Sequence, residues 1–300
     1  MDGLPPRPPG RELPPVPMKP SSLLPVVVAG LVLSGCSPPP EPPAPSGPFL
    51  DDRPITVPPP SSRVKVDGKE FILLVRLHMA SVEVPIGKAS GTEELWSYLD
   101  EESVAAVHGV ALGLNGVRVG VGRANAWSDV VGVLQKMTGR KLKEGNMITV
   151  PGGTVPTELK KRQDVETIFT FYEDRTLTGS DYPPGDYLLT LSSTVSEDDP
   201  SKAVITGVPQ IRTTRRDPHF TIEDGRATFV NRPTVFSFRP LTFQVTVPRK
   251  DFLVIGPGTE ARRPNSVGHH FFVKDKDGLE FETVLVVEDT CCGSRCFLSV

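Results

Sequence analysis

Several features that mark common classes of protein are scarce or missing in this chain of 300 residues. It contains only four cysteines, five histidines and two tryptophans, and its net charge is −3. A small negative charge without a basic stripe argues against nucleic-acid binding. The chain also lacks the motifs typical of a nucleophile elbow, a zinc-protease helix, a P-loop and a dinucleotide-binding turn. We therefore predict no enzymatic activity and no cofactor.

Long apolar runs are missing as well. The run over residues 23–33 has 11 residues, which is too short to span a bilayer as a helix. It follows Lys19 and precedes the small residues Ser34 and Gly35, which is the order found in a secretory signal. We predict a signal peptide over residues 18–36, with Met18 as the natural start. Residues 1–17 then form a disordered or non-native extension.

The end of this segment, Leu33, Ser34, Gly35 and Cys36, resembles the lipobox of bacterial lipoproteins. The resemblance implies that Cys36 becomes the first mature residue and carries lipid, including palmitate. More than one acyl chain gives stable membrane anchoring. Ser37 implies sorting to the outer membrane, facing the periplasm. The alternative is a buried apolar segment with a chance cysteine. The whole organisation also resembles envelope proteins of planctomycete-type bacteria, which supports the same compartment.

Proline is unevenly distributed, since 20 of the 33 prolines lie at or before Pro60. Proline removes backbone donors and favours the extended polyproline II conformation. Residues 37–62 are therefore predicted to form a linker between the anchor and the folded part. The folded part would then stand away from the membrane surface.

Three further cysteines, Cys291, Cys292 and Cys296, lie in a predicted C-terminal tail over residues 291–300. One disulfide to Cys296 with one free thiol is the simplest arrangement in an oxidising compartment. The alternative is a zinc site completed by His269 or His270. Because the spacing lacks the usual C-x2-C pair, we predict no metal site.

Residues 63–155 show the pattern of a small α+β module with a mixed sheet. Alternation by two, as in Val75, Leu77 and Met79, predicts strands. We predict a helix that begins at Thr92 and a second helix over residues 102–114, which Asn115 and Gly116 end. A strand over residues 116–122 and a third helix over residues 127–138 are predicted to follow.

From Gln163 onward the chain shows short alternating segments separated by Pro, Gly and Asp, so residues 156–290 are predicted to form an antiparallel sandwich or barrel. The fold class is thus α+β, with a small mixed α/β module followed by a larger antiparallel β-rich domain. Residues 274–278 predict a hairpin turn. His269 and His270 are predicted to lie on a strand and to point to opposite faces, which makes them a poor ligand pair.

Arginines cluster at Arg212, Arg215 and Arg216 and again at Arg262 and Arg263. If the β-rich domain brings them together, they are candidate contacts for anionic groups or for the acidic patch of a partner. The alternative is that they form a solvated face.

Residues 241–256 resemble the strand, proline turn and strand near the end of bacterial secretins. Secretin N-domains are also small α+β modules, which is similar to the pattern of residues 63–155. The resemblance implies a component that packs into a ring. Pro257 stands where that family has a second glycine, so pore formation is not carried over.

The sequence as a whole predicts a membrane-anchored envelope lipoprotein with a non-catalytic binding or assembly role. Its expected partners are the membrane, through the lipid on Cys36, and either an envelope protein or further copies of the chain. One alternative is an accessory component of a secretion system that forms oligomers. Another is an envelope hydrolase, whose catalytic groups would have to meet from distant parts of the sequence.

Overall fold

The computed structural model describes most of the chain after residue 62, namely residues 63–66, 69–139, 142–162, 164–199, 201–223, 226–289 and 297–299. These residues form mostly antiparallel sheets with a few short helices, which confirms the predicted α+β, β-rich class. The predicted signal peptide, lipobox and linker lie outside the described residues, as do the three cysteines of the predicted tail, of which only residues 297–299 are described.

The described strands, in chain order, are β1 (Arg63–Val66), β2 (Lys69–Leu73), β3 (Val75–Pro85), β4 (Leu99–Asp100), β5 (Val117–Gly122), β6 (Lys143–Thr149), β7 (Thr154–Arg162), β8 (Glu166–Phe171), β9 (Leu177–Tyr182), β10 (Gly185–Val195), β11 (Lys202–Glu223), β12 (Arg226–Ser237), β13 (Phe243–Pro248), β14 (Phe252–Pro257), β15 (Val273–Lys276), β16 (Leu279–Asp289) and β17 (Phe297–Ser299). The α-helices are α1 (Ala106–Leu114), α2 (Trp127–Thr138) and α3 (Val267–Phe272). Short 3-10 turns cover Trp96–Tyr98, Ala124–Ala126, Arg239–Leu241 and Thr259–Arg262.

The larger sheet has the strand order β4-β5-β14-β16-β3-β6, with β15 paired to β16. Its central strands β14 and β16 come from the last part of the chain, yet they pair with β5 and β3 from the first part. The sheet therefore crosses the predicted boundary at residue 155. Local patterns gave no sign of this, because strand pairing joins residues more than 100 positions apart.

Both faces of the larger sheet are covered. Leu253 and Ile255 of β14 face a core shared with a second sheet, whereas Phe252 and Val254 face a core that includes α2 and Trp96. Successive side chains of a strand point to opposite faces, so a strand that is apolar at every position needs cover on both sides.

The second sheet has the order β12-β11-β10-β7, with β13 also paired to β11. Leu189, Leu191, Ile205 and Val245 of this sheet belong to the same buried cluster as Leu253. Because each sheet contributes one apolar face, the two sheets pack against each other. A small third sheet has the order β1-β2-β17.

Two predicted helical features are confirmed. Helix α2 covers Trp127–Thr138, buries Val130 and Leu134, and ends at Gly139 with a φ of 65°. Asn115 ends α1, and Gly116 follows with a φ of 77°. A Cβ atom at Gly116 would lie 2.5 Å from the backbone nitrogen of Ala261, so only glycine fits here.

The helix predicted to begin at Thr92 is not formed, and the structure has only the short turn Trp96–Tyr98. The cause is the carboxylate of Glu282, which is fully buried and accepts from the N–H groups of Gly87, Ala89 and Ser90. These bonds hold the preceding segment in an irregular loop. Similarly, the helix predicted over residues 102–114 begins only at Ala106, after β4 has paired with β5.

The prediction that His269 and His270 lie on a strand is wrong, because both lie in α3. Ser266 caps this helix, and its hydroxyl accepts from the His269 N–H at 3.1 Å. Val267 and Phe271, spaced four apart, then share a buried face of one helical turn. Two histidines that are adjacent in a helix point in different directions.

The predicted hairpin turn over residues 274–278 is confirmed. Strands β15 and β16 pair across it, and Asp277 and Gly278 have positive φ values of 56° and 78°. By contrast, β13 and β14 do not form the strand pair that a secretin-like hairpin would show, since β13 pairs with β11 and β14 pairs with β5 and β16.

The hairpin of β8 and β9 pairs with neither large sheet and is held in place by Asn115. The side-chain amide of Asn115 accepts from the Phe171 N–H and donates to the Phe171 carbonyl, both at 2.8 Å. Asn115 is fully buried, so the end of α1 fixes one end of the hairpin. No helix among the described residues is long and apolar enough to cross a membrane.

Candidate functional site

The most exposed apolar surface of the described chain lies on a two-stranded ribbon. Up to Thr213, β11 is flanked by β10, but residues 216–223 of β11 pair only with residues 226–233 of β12. A register shift between Arg212 and Arg216 marks the point where this pairing begins. We call these two paired segments the ribbon.

One face of the ribbon is apolar and open to solvent. Phe220 and Phe229 lie directly opposite each other, with ring centroids 5.5 Å apart, and Ile222 lies on the same face. Their exposed fractions are 59%, 76% and 70%. Asp217 and Arg232 pair in register on the opposite face. The ribbon thus alternates apolar and polar residues, as a strand pair does when one face has a partner.

The structure places the three predicted arginines in different surroundings. Arg212 pairs with Asp186 at 2.8 Å, and Arg215 pairs with Asp217 at 3.1 Å. Arg216 is exposed at the base of the ribbon, on the same face as Phe220. Two of the three predicted arginines are therefore already paired with carboxylates of this chain.

The other two arginines of the prediction lie outside the ribbon. Arg263 pairs with Glu260, and the guanidinium of Arg262 lies against Gly87 and Gly91. They belong to the loop region around Glu282 and do not extend the surface formed by Arg216.

A second exposed apolar surface lies along α1. It is a groove of about 560 Å³ whose apolar lining includes Val110 and the buried Val104 and whose charged lining is Glu101, Glu102 and Arg118, with Arg118 paired to Glu101. On the same helix, Val107 and Val110 are 62% and 53% exposed. We call this surface the α1 groove. It combines apolar and acidic groups, whereas the ribbon combines apolar groups with Arg216.

A buried polar cluster lies between β7, β8, β10 and α3. It contains Lys160, Glu166, Tyr187 and His270, and His270 Nδ1 is 3.5 Å from an oxygen of Glu166. Lys160 donates to the Val273 carbonyl at 2.8 Å. The Tyr187 hydroxyl has no hydrogen-bond partner in the described part of the chain. The fold therefore brings a histidine and an acid together from distant segments.

Burial decides the ionisation of this cluster. Burial, together with the charge of Lys160, lowers the pKa of His270 to about 3, so the imidazole is neutral at neutral pH. Burial and the nearby Arg162 lower the pKa of Lys160 to about 7. Burial also raises the pKa of Tyr187 above its usual range. Lys160 is only 8% exposed and His270 only 2%, so the cluster is closed to a substrate.

An aromatic cleft of about 660 Å³ lies between the β8–β9 hairpin and the end of β12. Its aromatic lining comes from two distant parts of the chain, with Tyr172 and Tyr182 from the hairpin and Phe236 and Phe238 from β12 and the residue that follows it. The polar groups of the lining are Thr170, Glu173, Asp174, Thr176, Ser237 and Arg239.

The rings of the cleft form one packed group. Tyr182 contacts Phe236 edge to face at 5.5 Å and Phe238 at 5.2 Å between ring centroids. Tyr182 is buried, and burial with the neighbouring Tyr172 raises its pKa to about 12. Tyr172 is 37% exposed at the rim. The cleft therefore has a rigid aromatic floor and one accessible aromatic side.

The acidic rim of the cleft is fixed by the turn that joins β8 and β9. Asp174 accepts from the backbone N–H of Thr176 at 2.9 Å and from its hydroxyl at 2.8 Å. These bonds lower the pKa of Asp174. The turn places Glu173 beside it, also exposed and lining the cleft.

Comparison of the chain with models of protein families, with curated proteins and with solved structures found no match. Within the described ranges, no group of three or more His, Cys, Asp or Glu side chains is placed to hold a metal ion.

Sequence reasoning missed both the ribbon and the cleft. The ribbon had a local signal, because apolar residues alternate through Phe220 and Ile222 and again around Phe229. For the cleft, the local sequence indicated only one side, because Tyr172, Glu173 and Asp174 lie in an obvious turn. Phe236, on the other side, comes from a segment about 60 positions away.

Proposed function

We propose that the chain is a non-catalytic assembly protein of the bacterial cell envelope, held to a membrane by lipid on Cys36, and that the ribbon is its assembly element. The supporting observation is the apolar face formed by Phe220, Ile222 and Phe229, which is largely exposed. An isolated two-stranded hairpin is at best marginally stable in water. Contiguous exposed apolar groups typically mark an interaction surface.

The occupant that fits the ribbon is the α1 groove of a second copy of the chain. The ribbon offers aromatic rings and Arg216, and the groove offers Val110 and the exposed Glu102, while Arg118 of the groove pairs with Glu101. The two surfaces are thus alike in apolar character and opposite in charge, which favours one relative orientation. The two patches are different parts of the chain, so repeated head-to-tail contact gives a ring where the rotation between copies closes and an open filament where it does not.

The accessory role in a secretion system is the next candidate, because that role needs an oligomer. A closed ring of many copies would favour that role, and a short oligomer would favour a simple envelope scaffold. The hydrolase alternative receives less support from the pair of His270 and Glu166, since His270 is only 2% exposed. His78 is a second described histidine beside acids, 3.6 Å from Glu144 and 3.8 Å from Glu288, and its side chain is 22% exposed.

The test is the native mass of the full-length protein extracted from membranes in mild detergent. We expect an oligomer for the wild type and monomers for Phe229→Ser, because the substitution removes the central ring of the ribbon face. Leu279→Ser is the matched control, since Leu279 is a 64% exposed apolar residue on the β15–β16 hairpin. A monomeric wild type, or an oligomer that survives Phe229→Ser, would refute assembly through the ribbon.

Charge reversal identifies the partner surface. Arg216→Glu and Glu102→Arg should each weaken the oligomer, and the two together should restore it when the ribbon contacts the α1 groove. Failure of the double variant to restore assembly would show that the ribbon docks elsewhere.

The anchor has an independent test. Cys36→Ser should move the protein from the membrane fraction to the soluble fraction and remove metabolic labelling with a fatty acid. Unchanged membrane retention without a lipid label would contradict the lipoprotein proposal while leaving assembly through the ribbon open to its own test.

A further inference from the structure

We propose that the aromatic cleft binds the substituted ammonium group of a small organic cation. The cleft volume of about 660 Å³ lies within the range of roughly 300–1,000 Å³ that is usual for small-molecule sites. Its floor is preformed, because Tyr182 is packed between Phe236 and Phe238. A ligand therefore meets aromatic surface that needs no rearrangement.

The charge of the rim favours a cation. The face of an aromatic ring carries negative potential and attracts an ammonium group within about 6 Å of its centre. Two carboxylates, Glu173 and Asp174, lie beside these rings, and the bonds from Thr176 keep Asp174 ionised at neutral pH. Burial raises the pKa of Tyr182, so this phenol stays neutral and adds no competing charge.

Among the described residues of the lining, Arg239 is the one basic side chain. It adds a positive charge against two negative charges, which leaves the rim acidic overall.

The chemical test is calorimetric titration of the full chain with choline at constant ionic strength. The matched ligand is dimethylbutanol, the neutral isostere in which carbon replaces the choline nitrogen. We expect choline to bind in the millimolar range or tighter, and the neutral isostere to bind about tenfold more weakly. Equal binding of the two ligands, or no binding of choline in the millimolar range, would overturn the proposal.

Variants test the rings and the rim separately. Tyr172→Phe keeps the ring and should bind choline like the wild type, whereas Tyr172→Leu should lose about tenfold in affinity. Glu173→Gln should weaken binding severalfold. Tyr98→Leu and Glu197→Gln, both at exposed positions outside the cleft, are the matched controls. Equal losses for Tyr172→Phe and Tyr172→Leu would contradict a role for the ring face.

A final comparison identifies the source of the ammonium group. Choline-headgroup vesicles should compete with free choline for the wild type if the ligand is a lipid headgroup that can reach the cleft. Binding of free choline that such vesicles leave unchanged would assign the site to a soluble cation. Circular dichroism of each variant checks that the fold is retained. We expect the Tyr172 variants to fold, because the Tyr172 side chain is 37% exposed.

Discussion

Strand β14 and the ribbon are both rich in apolar residues, but their surroundings differ. Every residue of β14 is buried, because the second sheet covers one of its faces and α2 covers the other. The ribbon has the alternation of a half-buried strand pair, yet Phe229 is 76% exposed. The same kind of residue therefore stabilises the fold in one place and is available for binding in the other.

The difference follows from what each strand pairs with. Strand β14 has neighbours on both edges and cover on both faces, so its side chains contribute to stability within one chain. The ribbon continues past the end of β10 and has no third strand beside it in the described structure. Within the described structure its apolar area stays in water, so the hydrophobic effect favours a partner molecule that covers it.

We expect the greatest change in the free energy of unfolding from a substitution in β14, the strand that is covered on both faces. Leu253→Ala should lower the free energy of unfolding by about 2–5 kcal/mol, because Leu253 is fully buried and a cavity would remain. Urea denaturation followed by circular dichroism measures the change. A loss well below 1 kcal/mol would mean that the two-sided core relaxes around the cavity.

The next prediction concerns the buried side chain of Lys160 and the pH dependence of stability that it causes. Burial lowers the pKa of Lys160 to about 7, whereas the lysine of the unfolded chain titrates near 10.5. Between these values only the unfolded chain holds the proton, so the free energy of unfolding should rise with pH by up to about 1.4 kcal/mol per pH unit.

The measurement compares the wild type with Lys160→Met between pH 7 and 9. The variant should lack most of the rise, because methionine keeps the apolar stem and has no proton to release. This window lies below the range in which tyrosines of the unfolded chain ionise. A rise of equal size in both proteins would assign the pH dependence to other groups.

The smallest effect on stability is expected in the ribbon. Phe229→Ala should change the free energy of unfolding of the monomer by less than about 0.5 kcal/mol, because the ring is mostly in solvent. The same variant should reduce the native mass of the assembled protein. A large loss of monomer stability would show that the ring is already covered within one chain and would remove the contrast with Leu253.

Local chemistry was enough to predict several elements. Helix α2 follows from the spacing of Val130 and Leu134, and the end of α1 follows from Asn115 and Gly116. The hairpin at residues 274–278 follows from Asp277 and Gly278, which accept positive φ. In each case the deciding residues lie within a few positions of one another.

The failures have an equally physical cause. Thr92 has the sequence environment of a helix cap, but Glu282, 190 positions away in the chain (282 − 92), holds the loop before it through three backbone amides. His269 and His270 look like strand residues until Ser266 is recognised as a cap. A distant buried carboxylate or a single side-chain bond can outweigh local preference.

Local sequence patterns were enough to predict the β-rich class and the positions of most strands, because alternation and capping are properties of neighbouring residues. The tertiary structure was needed to show that β14 and β16 pair with β5 and β3 in one sheet. It was also needed to show that Lys160 and His270 are enclosed and that the rings of the cleft meet. These outcomes depend on contacts between residues far apart in the chain, and the free energy of such contacts comes from burial that no local pattern records.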